Sequence, residues 1–530
     1  MSHANSLPSG RAQRPLASRP FVHDNARSVA RAIALAATAC ATVGAAWPAV
    51  GAAQELRAEE ALSLAASQNP SLEAAARDAA AARYGREAER DAVRPTVTAS
   101  VGASRNERFS ATSQGPALNE DHGGDARVGV SHTTAIGTRV SAEVTSSMSW
   151  QTVNLTAGTT TAVTIGPVYR GQLALTATQP LLRGAGRDAT RASLERARAL
   201  ERQAGHRYDQ AASELARDVL TAYWELWYAQ RALAVREEAL TLATQQHDEA
   251  RRRQEELGTL ARADVLRFAT EQLNVQTALV TATQQRDARA LTLARLLALD
   301  PGQARALVAV TSPALDPYDN DLATALALTL AHSSEWLAVE AELEAAQEAL
   351  RGTADADQAR LDLTLTTSAA GIWAEDMLDG LALPNGRPAF SVAARLELEL
   401  PVGGGRAEGA HQQARAQLVA AQARARAQEQ AIETELATLF TELAAAQARR
   451  EQTAAQGVLA EELAAAERER LALGQTTPIA LIEAQQQARD ALLQQERATL
   501  DQVLVVLRLR HRTGELLMSL VAPHAPGDPT

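Results

Sequence analysis

The chain predicts a mainly α protein with a membrane β part, and three observations carry that prediction. One succession of elements runs through the sequence twice, short strands of alternating polarity recur in both passes, and each pass holds a helix-forming stretch far longer than a globular domain needs. Leu62 with Asn69-Pro70 answers to Leu326 with Ser333-Ser334, Pro180-Leu-Leu-Arg-Gly-Ala-Gly-Arg187 to Pro401-Val-Gly-Gly-Gly-Arg406, and Gly258 to Gly474. Self-similarity of this kind marks a repeated structural unit. The expected limits are a leader over 1–53, a first repeat over 54–320, a second repeat over 321–519 and a disordered tail over 520–530.

At 530 residues the chain is long enough for two or three ordinary domains, yet aromatics make up only 3% and Ala, Glu, Gln, Arg and Leu dominate, as in long helices packed side by side. A thick globular core is not expected. The formal net charge of −11 argues against nucleic acid as a partner.

The N-terminus reads as an export signal. Arg27 and Arg31 precede an apolar run from Ala32 to Trp47, and Gly51-Ala52-Ala53 supplies small residues before Gln54. That run falls short of the ~20 apolar residues that span a bilayer. Cleavage near Ala53 would remove Cys40, the single cysteine, and leave neither a disulfide nor a thiol. Acylation of Cys40 is the alternative, though Ala37-Thr38-Ala39-Cys40 lacks the usual leading Leu and more apolar sequence follows. The ten histidines lack metal-ligand spacing, so no metal or cofactor is expected.

After the leader come alternating segments at Thr96–Ser104, Gln172–Thr178, Leu361–Thr367 and Ala394–Leu400. In the last, Leu396, Leu398 and Leu400 share one side and Arg395, Glu397 and Glu399 the other, as in a barrel with lipid outside and water inside. Half-buried strands of a soluble sheet would show the same alternation. The first repeat carries roughly 43 extra residues between its two strands, read as an elaborated loop over 105–170. Within it, 126–132 and 138–144 alternate around Ile136-Gly137, a further hairpin that either lengthens the sheet or stands outside the membrane.

Arg187 to Leu257 and Arg406 to Leu473 are rich in helix formers and free of proline; about 70 residues at 1.5 Å each reach on the order of 100 Å. Leu215, Val219, Ala222, Leu226, Ala229 and Leu233 keep a four-three rhythm, and Ile432, Leu436, Leu439, Leu443 and Ala446 repeat it. Such spacing builds a coiled-coil seam, and its many alanines suit a wall of helices. Glycine turns at Gly258 and Gly474 then reverse the chain into helices over 263–299 and 479–516. Pro180 and Pro401 are expected at the strand-to-helix corners, where alternation stops and helical periodicity begins and a missing N–H at a helix start loses nothing.

These residues resemble the outer-membrane efflux protein family, the TolC-like channels, from about Glu55 to Leu517. Asn69-Pro70-Ser71-Leu72, Gln179-Pro180-Leu-Leu-Arg183, Ala222-Tyr-Trp-Glu-Leu226 and Gly258 through Asp264-Val265-Leu266 carry the likeness, answered by Leu439-Phe-Thr-Glu-Leu443 and Gly474 through Ala484. The resemblance implies a homotrimer whose helices form an α-barrel across the periplasm, continuous with a shared 12-stranded outer-membrane β-barrel. It implies a passive exit duct of a tripartite efflux or type I secretion system, opened at its tips by a periplasmic adaptor protein and energised by an inner-membrane pump of RND or ABC type. Independently, four strands per chain leave edges that cannot sit in hydrocarbon, so other subunits must complete them. A periplasmic coiled-coil adaptor or scaffold would explain the helices but leave the strands without purpose.

Site expectations follow from the same resemblance. Glu483, near the start of the returning helix of the second repeat, would ring the pore constriction; its family companion is Ala480 here. Asp264 matches the family's tip acid, but Thr476 stands where its arginine partner would be, so that bridge is absent. Tyr223, Trp224, Trp227 and Tyr228 read as packing rather than a ligand site. Gly403-Gly404-Gly405 lacks the Lys of a phosphate loop, and Arg251-Arg252-Arg253 reads as a solvated helix face near an adaptor contact. No nucleophile, base and orienter come together, so no catalysis is expected.

Overall fold

The computed structural model describes residues 54–112, 115–154, 162–256, 261–354, 358–373, 389–400 and 405–517. The leader with Cys40, Gly258, Pro401 and the tail lie outside the described residues. Both repeats are present. In the first, α1 (Ala58–Gln68) and α2 (Pro70–Asp91) lead through four strands to α3 (Gly186–Glu255) and α4 (Arg262–Leu296). In the second, α5 (Leu322–His332) and α6 (Ser334–Thr353) lead through two strands to α7 (Arg406–Ala472) and α8 (Pro478–Arg512).

Local chemistry sets the breaks. The Asn69 side chain accepts from Ser71 N at 2.9 Å and caps α2, with Pro70 at its first turn, while its amide donates to Leu296 O at the far end of α4. Ser333 holds the equivalent extended backbone between α5 and α6. The predicted seams are real: Leu215, Val219, Ala222 and Leu226 are buried with Leu293 and Leu297, and Ile432, Leu436, Leu439 and Leu443 with Val505, Val506 and Leu509. Tyr223 is fully buried; its hydroxyl donates to Leu56 O and accepts from Thr311 N, both at 2.8 Å. It thereby fixes α3 to the small parallel sheet of β1 (Gln54–Leu56) and β6 (Leu307–Ala309).

The helices stand as one wall, four wide. Toward the strands the neighbours run α2, α3, α6, α7; toward the tips they run α4, α3, α8, α7. Among the described residues no single helix is long and apolar enough to cross a membrane.

One antiparallel sheet crowns the wall, in the order β2 (Thr96–Thr112), β3 (Gly115–Thr133), β4 (Arg139–Asn154), β5 (Ala162–Pro180), β7 (Arg360–Trp373), β8 (Ala389–Glu399). It holds six strands, not the expected four. The segment 105–170 is mostly strand, not loop, and its hairpin lies within the sheet; a count of twelve strands from three copies therefore does not follow. Register explains the result. The row Ala99, Val128, Val144, Leu173, Ala369, Phe390 crosses all six strands, and Val97, Val130, Ala142, Leu175, Thr367, Val392 forms the row beside it. Between them on the opposite face lie Thr98, Gly129, Glu143, Ala174, Ser368 and Ser391. One face of the sheet is thus apolar across its whole width and open: Val101 is 88% exposed and Leu396 62%.

At the first strand-to-helix corner the proline stands on the strand side. Pro180 ends β5 opposite Asp362, and α3 begins only at Gly186. Pro180 is therefore a strand terminus, where a missing N–H is tolerated, and the corner is turned by Gly184 and Gly186 at φ of 83° and 94°. The β3–β4 turn docks on this corner, with Gly186 N donating to Ile136 O at 3.2 Å.

Candidate functional site

The tips, farthest from the sheet, gather the residues singled out in the sequence. At the second-repeat tip α7 ends in a Schellman turn: Gln475 N donates to Arg470 O and Gly474 N to Leu471 O, with Gly474 at φ 70°. Pro478 then opens α8. Thr476 is not idle in the absence of an arginine. Its hydroxyl donates to Glu467 Oε2 at 2.7 Å, and Glu467, itself buried, also holds Arg470. The turn is braced from within.

At the first-repeat tip, Asp264 lies in the opening turn of α4 and pairs with Arg267 at 2.9 Å, one turn along the same helix. Behind it Ala250, Val265 and Phe268 form a small core onto which Ile482 of α8 packs. Glu483 follows Ile482 and is exposed, on the side of α8 away from buried Leu481, Ala484 and Gln485. Asp264, Thr476 and Glu483 thus sit at one end of the molecule, each with a different neighbour. Arg251 and Arg253 pair with Glu255 and Glu249 on their own helix, as a solvated face does.

Sequence reading missed the polar layer just behind the tip. Glu271 of α4 is buried and accepts from Gln486 Nε2 at 2.7 Å and from Arg489 at 3.3 Å, both on α8. Nearby, Gln246 donates to Gln485 across α3 and α8 at 3.1 Å, and Arg236 pairs with Asp490 at 3.2 Å. Burial pulls the Arg489 guanidinium below its ordinary range and the Glu271 carboxylate opposes that shift. The two helical hairpins of the chain are tied here by polar atoms in a water-poor seam. The signal was available: Glu271 stands between seam residues Phe268 and Val275, where an apolar side chain is the rule.

Nearer the sheet, Ser213 and His511 join α3 to α8 at 2.7 Å. Burial, then the positive Arg217 and Arg512, press His511 from 6.5 to about 4, while burial raises Asp209 to about 6. A neutral His511 contributes stability that is full above pH 6.5 and lost as pH falls toward 4. Asp209 has the opposite sign: its contribution is full below pH 3.8 and lost as pH rises through about 6. The Asp209→Asn variant removes the second effect. We expect it to lose about 2 kcal/mol per protomer between pH 7 and 4.5, more than the wild type does. Thermal melts at the two pH values check this, and equal slopes in both proteins would refute the opposition.

Among the described residues no group of three or more His, Cys, Asp and Glu gathers as a metal site. No protein-family model matches the chain, and no curated protein matches it in sequence. Solved structures do match. The outer-membrane channel OprN aligns over 86% of this chain and 89% of its own with a TM-score of 0.61 at 17% identity. The outer membrane protein VceC from Vibrio cholerae aligns over 86% and 96% with the same score and identity. The CmeC outer membrane channel from Campylobacter jejuni aligns over 86% and 85% at 0.59 and 13% identity. At such identities the likeness is one of fold, and it runs over most of the chain.

Proposed function

We propose that this chain, which has the fold of the TolC-like outer-membrane channels, is an outer-membrane exit duct. The observation that carries this reading is the sheet: a six-strand face that is apolar and exposed in every strand, joined to a helical wall about 100 Å long. A soluble sheet would cover that face; a membrane covers it with lipid. Amphipathic strands have no use in a periplasmic adaptor, which disfavours that alternative.

The wall and the sheet both end in open edges. Among the described residues no strand pairs with the outer edge of β2 or of β8, and the outermost tip helices expose Leu266, Leu273 and Val280 at heptad spacing on α4 and Val458, Leu459 and Leu463 on α7. Copies of the chain close both edges at once, and a homotrimer is the assembly this fold supports. The helical barrel then lies in the periplasm, where its tips meet an adaptor protein and, through it, an inner-membrane pump of a tripartite efflux or type I secretion system. The duct itself is passive and performs no catalysis. Isolated outer membranes should contain a heat-modifiable oligomer of this chain, and the purified protein should conduct in planar bilayers. Recovery only in the soluble periplasmic fraction would sink the reading.

Within that duct Glu483 is the constriction ring. Threefold symmetry brings its exposed carboxylates around one axis, where like charges favour cations. Glu483→Gln is expected to lower cation selectivity and relieve block by multivalent cations severalfold, whereas Glu469→Gln does neither. Bilayer reversal potentials measure both, and unchanged selectivity in a normally assembled Glu483→Gln channel removes Glu483 from the constriction. Asp264→Ala, which among the described residues frees Arg267 alone, should leave resting conductance as it is.

A further inference from the structure

We infer that the β3–β4 hairpin is a permanent part of the membrane wall, so that three copies of the chain close an 18-stranded barrel whose lumen is as wide as the helical tunnel beneath it. The inference rests on the duct reading and adds the architecture of its exit.

Three observations carry it. First, pairing is continuous: all 17 residues of β2 have partners in β3, and β4 is registered on β3 and on β5 along its length with one bulge between Ser149 and Gln151. A hairpin standing outside the membrane would leave β2 beside β5, which it nowhere touches in the sheet order. Second, the hairpin carries the same two faces as its neighbours. Val128, Val130, Val140 and Val144 continue the apolar rows on one side, and Arg127, Glu143 and Thr145 lie on the other. Toward the loop end Trp150 stacks on His122 at 5.2 Å and Tyr169 stands opposite Met148, the amphipathic aromatics expected where hydrocarbon gives way to head groups. Third, the β3–β4 turn is seated on the strand-to-helix corner through Gly186 N and Ile136 O. The hairpin begins at the level where the wall begins.

Width makes the same point. Four helices side by side at 8–10 Å take up about 32–40 Å of circumference. Six strands about 4.8 Å apart and tilted by about 45° take up about 41 Å, whereas four take up about 27 Å. Six strands therefore match the wall they stand on, and four would force the tunnel to narrow at the membrane. Six are too few to close on themselves, since even eight leave an interior filled by side chains. Three sets of six give a barrel radius of about 19 Å against about 13 Å for twelve strands. With so wide a mouth, selection by size falls on the tips, and the exit passes any cargo the tips admit.

Cryo-electron microscopy of the wild-type oligomer in lipid nanodiscs tests this by counting strands in the ring, with 18 expected. Paired cysteines in a Cys40→Ser background give a second readout: Ala99→Cys with Val128→Cys, and Val144→Cys with Leu173→Cys, should each oxidise within one chain of the membrane-inserted protein. A conducting trimer with twelve strands, in which neither pair forms because β2 lies against β5, overturns the inference and leaves the duct reading intact. A protein that forms no oligomer in lipid overturns both.

Discussion

Leu173→Arg is expected to abolish assembly in the outer membrane, while Gln172→Arg, one residue earlier, leaves it nearly unchanged. Leu173 lies in the middle of β5, in the apolar row between Val144 and Ala369, and is 47% exposed in the single chain. In lipid that position is near the bilayer midplane, where an arginine on the outer face of a barrel costs about 2–4 kcal/mol. Each closed barrel repeats the penalty in every copy. The loss per copy corresponds to on the order of 30- to 1,000-fold in the folding equilibrium. Gln172 stands opposite Thr145 on the other face, where water solvates a guanidinium at little cost. Heat-modifiable oligomer on gels of outer membranes, or urea titration of folding into liposomes, separates the two variants. If Gln172→Arg is the lethal one, the faces of the sheet are assigned backwards; if both are tolerated, the sheet is not in lipid.

Much of this architecture was legible because long-range packing and local pattern agree. The seams starting at Leu215 and at Ile432 keep one rhythm in the sequence, and both are buried. Asn69 and Ser333 entered the sequence reading only as matching positions of the repeat and not as helix breaks, whereas the glycine turn at Gly474 and the four clearest strands followed from turn and period-two signals. The strand count did not, for a physical reason. The middle of β3 reads Asn119-Glu-Asp-His-Gly-Gly-Asp125, residues depleted in strands, and local propensity makes it a loop. Pairing on both sides, with β2 and β4, overrides that preference, and pairing partners are invisible to a local window. Pro180 lies at the corner where the alternation stops, but on its strand side: hydrogen bonding holds the strand until there, Leu181 N still donating to Leu361 O at 2.7 Å.

At the tip the sequence located the right end of the molecule and missed how it is held. Thr476 was read as the loss of an arginine, and it is instead the partner of Glu467, a contact that depends on the chain doubling back through the Schellman turn. Glu271 and Arg489 were not singled out among the many charges of the helices. Periodicity tells which face is apolar, but it does not tell that one glutamate has turned into that face to meet an arginine from another helix.

Removing that glutamate should therefore have the largest effect of any single change near the tips. In Glu271→Ala the Arg489 side chain, only 15% exposed, loses the carboxylate that offsets its burial, and Gln486 loses its acceptor. Breaking a buried pair by deleting one member costs about 3–5 kcal/mol because a charge is left without compensation. The penalty falls where α4 and α8 meet through few residues, while the seams around Leu226 and Leu436 lie far up the wall and are untouched. We therefore expect local opening, not global unfolding. Amide exchange should quicken by orders of magnitude over the first turns of α4 and α8, the bilayer conductance should shift toward larger and longer openings, and the melting of the oligomer should change little. Glu271→Gln keeps an acceptor for Gln486 and should fall between the two. The double variant Glu271→Met with Arg489→Met removes both charges from the same space and should restore exchange protection and closed-state conductance, since replacing a buried pair by apolar side chains is often neutral. Should Glu271→Ala assemble normally and neither leak nor exchange faster, the hairpins are held shut by the apolar contact of Phe268 with Ile482, and the polar layer serves only to set their register.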